Sequence, residues 1–449
     1  MTPFRLLAIL VALPVLTAAA QPVPERPLGT MREQAAVQQR WLEARLDQNL
    51  PAVMRAHGVD MWVVAMREYN EDPVFRALVS PTTFAARRRS IYVFYDRGPA
   101  LGVERLALGG TSQGGLFRAV RDSESAPDGR PRELWGKAQW DFFGRIVRER
   151  NPAAIAVNIS HEHNFGDGLS AGEWEQLQAA LGPELSARVV RRERLAIDYL
   201  SLRVPDMLPT FRRTQELAHE IIATAFSNAV ITPGVTTTDD VVWWMRQRLA
   251  DLGLTTWFQP SVDVQRRGVA MQDSVAPVIL RGDVLHCDFG ITALGLNTDT
   301  QHMGYVLREG EAAPPPGLRA ALAASNRLQD IAMAEMRPGR TGNEALAATL
   351  ARMRAAGMDG TVYSHPVGDH GHGAGPLIGM WDRQDGVPGR GDVPILARTW
   401  FSIELQAATS VPEWDGQFVR SMQEEDAAMD ADGVITWVLA RQTEYHLVR

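Results

Sequence analysis

The feature that most constrains the fold is a set of acidic side chains within apolar, strand-like stretches in the second half of this 449-residue chain. Glu404 stands in Phe-Ser-Ile-Glu-Leu, where a buried carboxylate is costly unless it has a partner or a metal ion. Asp288 and Asp299 lie eleven positions apart, each on a predicted strand of one hairpin. Such a pair can face one concave surface and bridge metal ions, although two ordinary turn aspartates are the simpler alternative for this pair alone.

A glycine-rich segment, Ser-His-Pro-Val-Gly-Asp-His-Gly-His-Gly-Ala-Gly at residues 364–375, concentrates imidazole. It contains His365, His370 and His372, three of the ten histidines in the chain. Interleaved glycines allow backbone and side chains to approach a small ligand closely. A tight loop with structural histidines is the alternative. Glu424 lies in an acidic stretch at the end of a predicted strand, where a solvated turn is the alternative.

The order of predicted elements indicates two domains. Strands alternate with helices in the first domain, which predicts an α/β architecture ending near residue 200. Its predicted strands are residues 61–66, 90–95, 106–108 and 154–157, and its predicted helices are residues 31–49, 136–150 and 171–180. The second domain mixes strand-like runs with predicted helices at residues 210–228, from 238 onward, 316–336 and 342–356.

Composition and the N-terminus limit the location and the partners. The formal charge of −7 argues against nucleic acid as a partner. Residues 1–20 resemble a signal peptide, with Arg5, a short apolar stretch and three alanines before the predicted cleavage point. Cys287 is the single cysteine, so it cannot form a disulfide within the chain. We therefore expect a periplasmic or secreted protein that has no membrane segment after cleavage.

Taken in order, these residues resemble the creatinase/aminopeptidase P/prolidase superfamily of metallopeptidases, which have the pita-bread fold. The family pattern has two hairpin aspartates, a Gly-His-Gly-x-Gly histidine, a strand glutamate, and a final glutamate nine residues before a glycine. The resemblance implies a creatinase-like N-terminal domain at residues 31–205 and an α+β pita-bread catalytic domain at residues 206–449. It implies these metal ligands: Asp288, Asp299, His372, Glu404 and Glu424.

The match leaves the choice of histidine ligand open between two residues of the glycine-rich segment. We prefer His372 because only it lies within Gly-His-Gly-x-Gly, and His370 stays open as the alternative. With His372 as the ligand, the chain departs from the family in having Gly379 where a second histidine is usual. His365 and His370 are then the candidates to replace the missing imidazoles.

Two other departures affect the substrate. Ala270 and Met271 stand where the family has a histidine, and Met422 stands where it has an arginine. Arg420 is the alternative source of that positive charge.

The resemblance implies two divalent metal ions (manganese, cobalt, zinc or iron) and a metal-bridged hydroxide that attacks the scissile carbonyl. It also implies that Glu404 shuttles the proton. The expected activity is that of an Xaa-Pro aminopeptidase or dipeptidase acting on small peptides, and homodimer formation stays open. The alternatives are a lyase or C–N hydrolase on the same scaffold, or a metal-retaining protein with little peptidase activity.

Overall fold

The structure is a computed structural model that describes residues 26–125, 127–269 and 276–449. The predicted signal peptide, Ala270 and Met271 lie outside the described residues. Within those three ranges, no helix combines the length and apolar character needed to cross a membrane.

The first domain is built on one seven-stranded mixed sheet of order β5-β4-β3-β2-β1-β6-β7. The strands are β1 Met61–Arg67, β2 Arg89–Asp96, β3 Val103–Leu108, β4 Arg118–Ser125, β5 Pro131–Glu133, β6 Ile155–Val157 and β7 Val189–Arg191. The helices are α1 Met31–Ala44, α2 Leu50–Ala56, α3 Phe75–Leu78, α4 Lys137–Arg150, α5 Ala171–Ser186 and α6 Glu193–Ser201, with a π-helical turn at Arg45–Asn49.

Strand β1 explains why this sheet carries helices on both faces. Alternate residues of a strand point to opposite faces. Trp62 and Val64 accordingly pack in one apolar core with α1, α2 and α6, while Met61 and Val63 pack in another core with α4 and α5. A continuous apolar run is therefore what a strand covered on both sides requires.

The second domain combines four helices with several small antiparallel sheets. The helices are α7 Leu208–Ala225, α8 Thr238–Asp251, α9 Pro316–Glu335 and α10 Gly342–Ala355. The strands before the histidine loop are β8 Ser261–Gln265, β9 Val284–Phe289, β10 Thr292–Ala293, β11 Leu296–Asn297, β12 Thr300–Val306 and β13 Asp359–Val362. The remaining strands are β14 His365–Pro366, β15 Trp400–Ser402, β16 Leu405–Val411, β17 Gln417–Gln423, β18 Asp426–Met429, β19 Ile435–Trp437 and β20 His446–Val448.

These strands form sheets of order β20-β12-β9-β8, β13-β16-β17 and β14-β15-β18-β19, with β10 and β11 as a separate ribbon. The fold class predicted from the sequence, an α/β domain followed by an α+β pita-bread domain, is confirmed. One local prediction is wrong: Glu404 does not lie within a strand, because the predicted strand at residues 401–405 is broken there. β15 pairs with β18 before the break, and β16 pairs with β17 after it.

A buried ion-pair network joins the two domains beside the histidine loop. Oδ2 of Asp369 lies 2.5 Å from Nη2 of Arg45, in the π-helical turn, and 2.6 Å from Nη1 of Arg203. Arg203 also donates to the Val367 carbonyl oxygen. Burial alone would raise the pKa of Asp369, but the two guanidinium charges outweigh it and hold that pKa below its usual value. The carboxylate is thus ionised and fixes the loop that follows β14.

We predict that Asp369→Asn destabilises the protein, because it leaves two buried guanidinium groups without their counter-ion. Removing one partner of a buried ion pair costs about 3–5 kcal/mol in the free energy of unfolding. Urea unfolding followed by circular dichroism would measure the loss. Asp415→Asn is the matched control, since the Asp415 side chain is 82% exposed and its pair with Arg267 contributes about 1 kcal/mol at most. Equal stability of the two variants would contradict the prediction.

Candidate metal centre

Two strand ends and two strand breaks bring the predicted acidic residues together. Asp288 lies near the end of β9, and Asp299 immediately precedes β12, which pairs with β9. Glu404 lies in the break between β15 and β16, and Glu424 lies between β17 and β18. At a break, the chain passes from one sheet to the next, so a side chain can point into the junction instead of across a sheet.

The fifth member of the cluster is His365 of β14, which is fully buried. Its Nε2 lies 3.3 Å from Oε1 of Glu424, 3.5 Å from Oδ2 of Asp299 and 4.0 Å from Oε2 of Glu404. One oxygen of Asp299, one of Glu424 and this Nε2 lie within 4.8 Å of one another, which is close enough for one metal ion. Asp288 joins the cluster through a side-chain hydrogen bond with Asp299.

The electrostatics of this cluster call for cations. Burial, followed by the charge of Glu424, raises the pKa of Asp288 to about 8. The same two causes raise the pKa values of Asp299 and Glu404 well above their usual range. Four carboxylates this close cannot all be ionised unless positive charge offsets their repulsion.

Unsatisfied atoms point to the same conclusion. Four buried atoms in the cluster have no hydrogen-bond partner: Asp288 Oδ1, Asp299 Oδ1, Glu424 Oε1 and His365 Nε2. Buried polar atoms normally have a hydrogen-bond partner. A group of oxygen and nitrogen atoms that face one another without partners therefore indicates that a bound group is missing. Carboxylate oxygens and one imidazole nitrogen are suitable ligands for divalent metal ions. The residues present therefore fit a metal centre.

The geometry favours His365 over His372 as the imidazole of this cluster. Nε2 of His372 lies 3.2 Å from the Tyr363 hydroxyl, and the His372 ring stands edge-on to that of His365, with the ring centroids 4.7 Å apart. No carboxylate of the cluster contacts His372 among the described ion pairs. Burial, helped by nearby His365, lowers the pKa of His372 to about 4, so its ring is neutral at pH 7. That His372 ligates metal stays a prediction.

His370 lies apart from the cluster. Its ring packs against Phe165 of the first domain, with centroids 4.5 Å apart. Its Nδ1 is buried without a hydrogen-bond partner, and burial lowers the pKa of the ring. His370 therefore belongs to the surface between the domains, and its predicted catalytic role stays a prediction.

The departures at Gly379 and Met422 have different structural outcomes. Gly379 has φ +74°, and a Cβ atom there would lie 2.3 Å from the Val362 carbonyl oxygen, so this backbone position admits only glycine. If His365 is the ligand, the second histidine expected seven residues later is His372, and Gly379 is no longer a departure. Met422 on β17 is half-buried, and Arg420 two residues earlier is exposed.

Gln301 and Tyr363 also lie at the site, although neither was predicted from the sequence. Nε2 of Gln301 donates to Glu404 and to Glu424, at 2.9 Å each, and so holds both glutamates. Gln301 lies two positions after Asp299, and Tyr363 lies two positions before His365. Residues two apart in an extended chain point to the same side, so this spacing was the signal that could have revealed them.

Arg390 was also missed. This half-buried guanidinium donates to the Gly373 carbonyl oxygen, and it pairs with no carboxylate among the described residues. Its charge helps to lower the pKa of His372, which places it beside the site. Arg390 is the first residue of a short 3-10 turn, Arg390–Asp392, where no periodic pattern could have indicated it.

A cleft of about 820 Å³ between the domains leads to the histidine loop. The first domain contributes α1 and residues 73–84, and the second contributes Trp257, the β10–β11 ribbon and residues 369–372. His372 lines the cleft, whereas the four carboxylates of the cluster are not among the lining residues. A volume of this size is typical of small-molecule sites.

Comparison with known proteins gives a family match that lies in the second domain. Residues 210–429 match the family described as metallopeptidase family M24. A comparison with curated proteins gave no match. The X-Pro aminopeptidase from Thermotoga maritima MSB8 is similar in structure, with a TM-score of 0.61 and 16% identity over 88% of this chain and 100% of that one. The dipeptidase PepE from Mycobacterium ulcerans gives 0.57 and 17% over 92% and 98%.

The same fold also occurs in a protein of another kind. The N-terminal domain of FACT complex subunit SPT16 from Cicer arietinum has a TM-score of 0.57 at 10% identity, over 92% of this chain and 99% of that one.

The family match and the shared fold together establish that the chain has the pita-bread fold. It belongs to the creatinase/aminopeptidase P/prolidase superfamily of metallopeptidases, as the sequence predicted.

We predict that His365→Ala lowers the metal content of the purified protein, because it removes the only imidazole that contacts the carboxylates among the described residues. Losing a ligand should weaken metal binding at least about tenfold. Mass spectrometry of metal content after dialysis would measure this. His370→Ala is the control and should retain its metal. Loss of metal in His372→Ala, with His365→Ala unaffected, would instead support the ligand preferred from the sequence.

Proposed function

We propose that this protein is a metal-dependent peptidase that hydrolyses the bond before proline in short peptides. The observation that carries the proposal is the cluster of orphaned carboxylate and imidazole atoms beside His372, which lines a cleft between two domains. Five residues would hold two divalent metal ions: Asp288, Asp299, His365, Glu404 and Glu424. When bound, such ions supply Lewis acidity at the scissile carbonyl and lower the pKa of the attacking water.

Glu404 is the proposed proton carrier. Its side chain is 21% exposed, compared with 5% for Asp299 and 1% for Glu424, so it is the one of these three that best reaches the substrate. Gln301 fixes one of its oxygens, which leaves the other, Oε2, to accept a proton from water and pass it to the departing amine.

Tyr363 and His372 would contact the reacting peptide. Burial, with the charge of nearby Glu404, raises the pKa of the Tyr363 hydroxyl, so it stays protonated and can donate a hydrogen bond. His372 is neutral at pH 7 and can accept this hydrogen bond or donate one to a substrate carbonyl. Donors placed where negative charge develops on a carbonyl oxygen accelerate its hydrolysis.

Arg390 supports a short substrate with a free carboxylate. Its half-buried guanidinium has no acidic partner among the residues described, so it is suited to binding an anion, and a planar carboxylate matches its geometry. Because Arg390 lies beside His372 and Tyr363, a carboxylate bound there belongs to a residue close to the scissile bond. This location favours dipeptides over long peptides.

The ring of proline suits the aromatic wall of the site. The Trp257 ring lies edge-on to His372, with centroids 5.1 Å apart, and both residues line the cleft. Proline has no backbone N–H and a fixed φ, so such a wall can select it by shape without a hydrogen-bond acceptor.

A catalytically weak protein that has kept its metal site is one alternative. The absence of family histidines and of an arginine favours that alternative, but the seven-residue spacing between His365 and His372 removes one of these absences. We further propose that the enzyme acts outside the cytoplasm, on the evidence of the signal-like residues 1–20.

We predict that the metal-loaded protein hydrolyses Xaa-Pro dipeptides at least about tenfold faster than matched Xaa-Ala dipeptides. Arg390→Met should lower kcat/KM for Xaa-Pro by about 10–100-fold, which corresponds to losing one charged hydrogen bond of about 1.5–3 kcal/mol. Arg383→Met is the matched control, because Arg383 is an exposed arginine in the preceding turn.

The same variants should be compared on Xaa-Pro amides, which lack the carboxylate. On these substrates Arg390→Met should change kcat/KM little. A large loss on the amides would contradict the role of Arg390. Metal-loaded protein that turns over no Xaa-Pro peptide would contradict the proposed function.

A further inference from the structure

A second cluster of histidines lies on the opposite side of the strands that carry the metal centre. Consecutive residues in a strand point to opposite faces. Gln301 and Glu424, whose backbones are joined by two hydrogen bonds of 3.0 and 3.1 Å, face the metal centre. The next residue of each segment, His302 and Glu425, faces the other way, towards α7.

This reverse-face cluster consists of His219, His302 and Glu425. Nε2 of His219 lies 3.0 Å from Oε2 of Glu425, and Nε2 of His302 lies 2.8 Å from its Oε1. One atom from each of the three residues lies within 4.8 Å of the other two. His302 and Glu425 are buried, and His219 on α7 is 22% exposed.

We propose that the reverse-face cluster is a binding site for one zinc ion, separate from the peptidase metal centre. Two imidazoles and one carboxylate form a common three-ligand set for zinc, which takes water as its fourth ligand. Because His219 reaches solvent, an ion can enter beside it and can keep a water molecule on that side.

The surroundings of the cluster resemble the outer hydrogen bonds of a metal site. Nδ1 of His302 lies 3.0 Å from Nε2 of His446, which can hold the His302 ring in place and leave its Nε2 free for an ion. The Gln442 backbone N–H and the Gln215 side chain donate to Glu425, at 3.0 and 3.3 Å. Outer partners of this kind fix the tautomer and orientation of metal ligands.

A purely structural network is the competing explanation, because both imidazoles can instead donate hydrogen bonds to Glu425. In the zinc-bound form, the ion takes the place of the protons on the two Nε2 atoms. The remaining ring proton of His302 is then on Nδ1, towards His446. Two imidazoles, those of His219 and His302, contact this buried carboxylate, and a third, that of His446, contacts His302 from behind. Three of the ten histidines in the chain are thus grouped here, and zinc binding accounts for this concentration of imidazole.

Zinc titration of the metal-free full chain by calorimetry tests the proposal. The titration should be run in an Asp288→Asn/Asp299→Asn background, which removes two ligands of the peptidase centre. We expect one zinc ion per chain to remain bound. Adding His219→Gln should weaken this binding at least about tenfold, since glutamine keeps a hydrogen bond to Glu425 but offers no imidazole. His161→Gln is the control, because His161 is exposed in the first domain.

Identical zinc stoichiometry and affinity with and without His219→Gln would overturn the proposal and leave a hydrogen-bonded network only. His446→Gln provides a second variant and should weaken zinc binding by about 10–100-fold through loss of the outer partner. If the background variant still binds zinc at the peptidase centre, the assignment of that centre is wrong. The difference made by His219→Gln still reports on the reverse face, so the two failures are distinguishable.

Discussion

The repulsion among four buried carboxylates is the constraint on which the second domain depends. Burying ionised carboxylates without cations or donors is strongly unfavourable. The protein nevertheless brings Asp288, Asp299, Glu404 and Glu424 to one junction. Among the described residues, the His365 ring and the Gln301 amide bring nitrogen atoms closest to these carboxylates. Strand breaks, the histidine loop and the cleft are all arranged around that junction. The breaks in particular let two glutamates leave their sheets and point inward.

Because this fold also occurs in a FACT complex subunit, the fold alone does not determine the activity. The distinction lies in the site, where orphaned oxygen and nitrogen atoms face one another beside His372. Arg390, which has no acidic partner in the part of the chain that the structure describes, lies near His372. A domain that kept the fold for protein contacts alone would have no physical reason to retain those costly buried groups.

Much of the architecture could be predicted from the sequence because its signals are local. The apolar run at β1 predicts a strand buried on both faces, and Thr237 to Asp240 forms the capping box that begins α8. The four acidic residues of the cluster were also predictable, Glu404 from its apolar neighbours in the sequence and all four from the ordered family pattern. Their grouping in one cluster required tertiary structure, because two of them lie at strand breaks that no periodic pattern indicates.

The imidazole was harder to assign, because the glycine-rich loop offers three histidines within eight residues. The Gly-His-Gly-x-Gly match directs attention to His372, whereas the structure turns β14 so that His365 enters the cluster. Arg390 and the Arg45 partner of Asp369 were beyond reach of the sequence for another reason. Each meets its neighbours across a separation in the chain that only packing defines.

The network around Asp369 couples the two domains mechanically. A single carboxylate holds both the π-helical turn of the first domain and the loop that follows His365. The width of the cleft and the position of the imidazoles therefore cannot vary independently. If the domains open to admit a peptide, the hinge must either lie elsewhere or pull on the histidine loop. A hinge on this side of the cleft would therefore change the geometry of the candidate metal centre whenever the cleft opened.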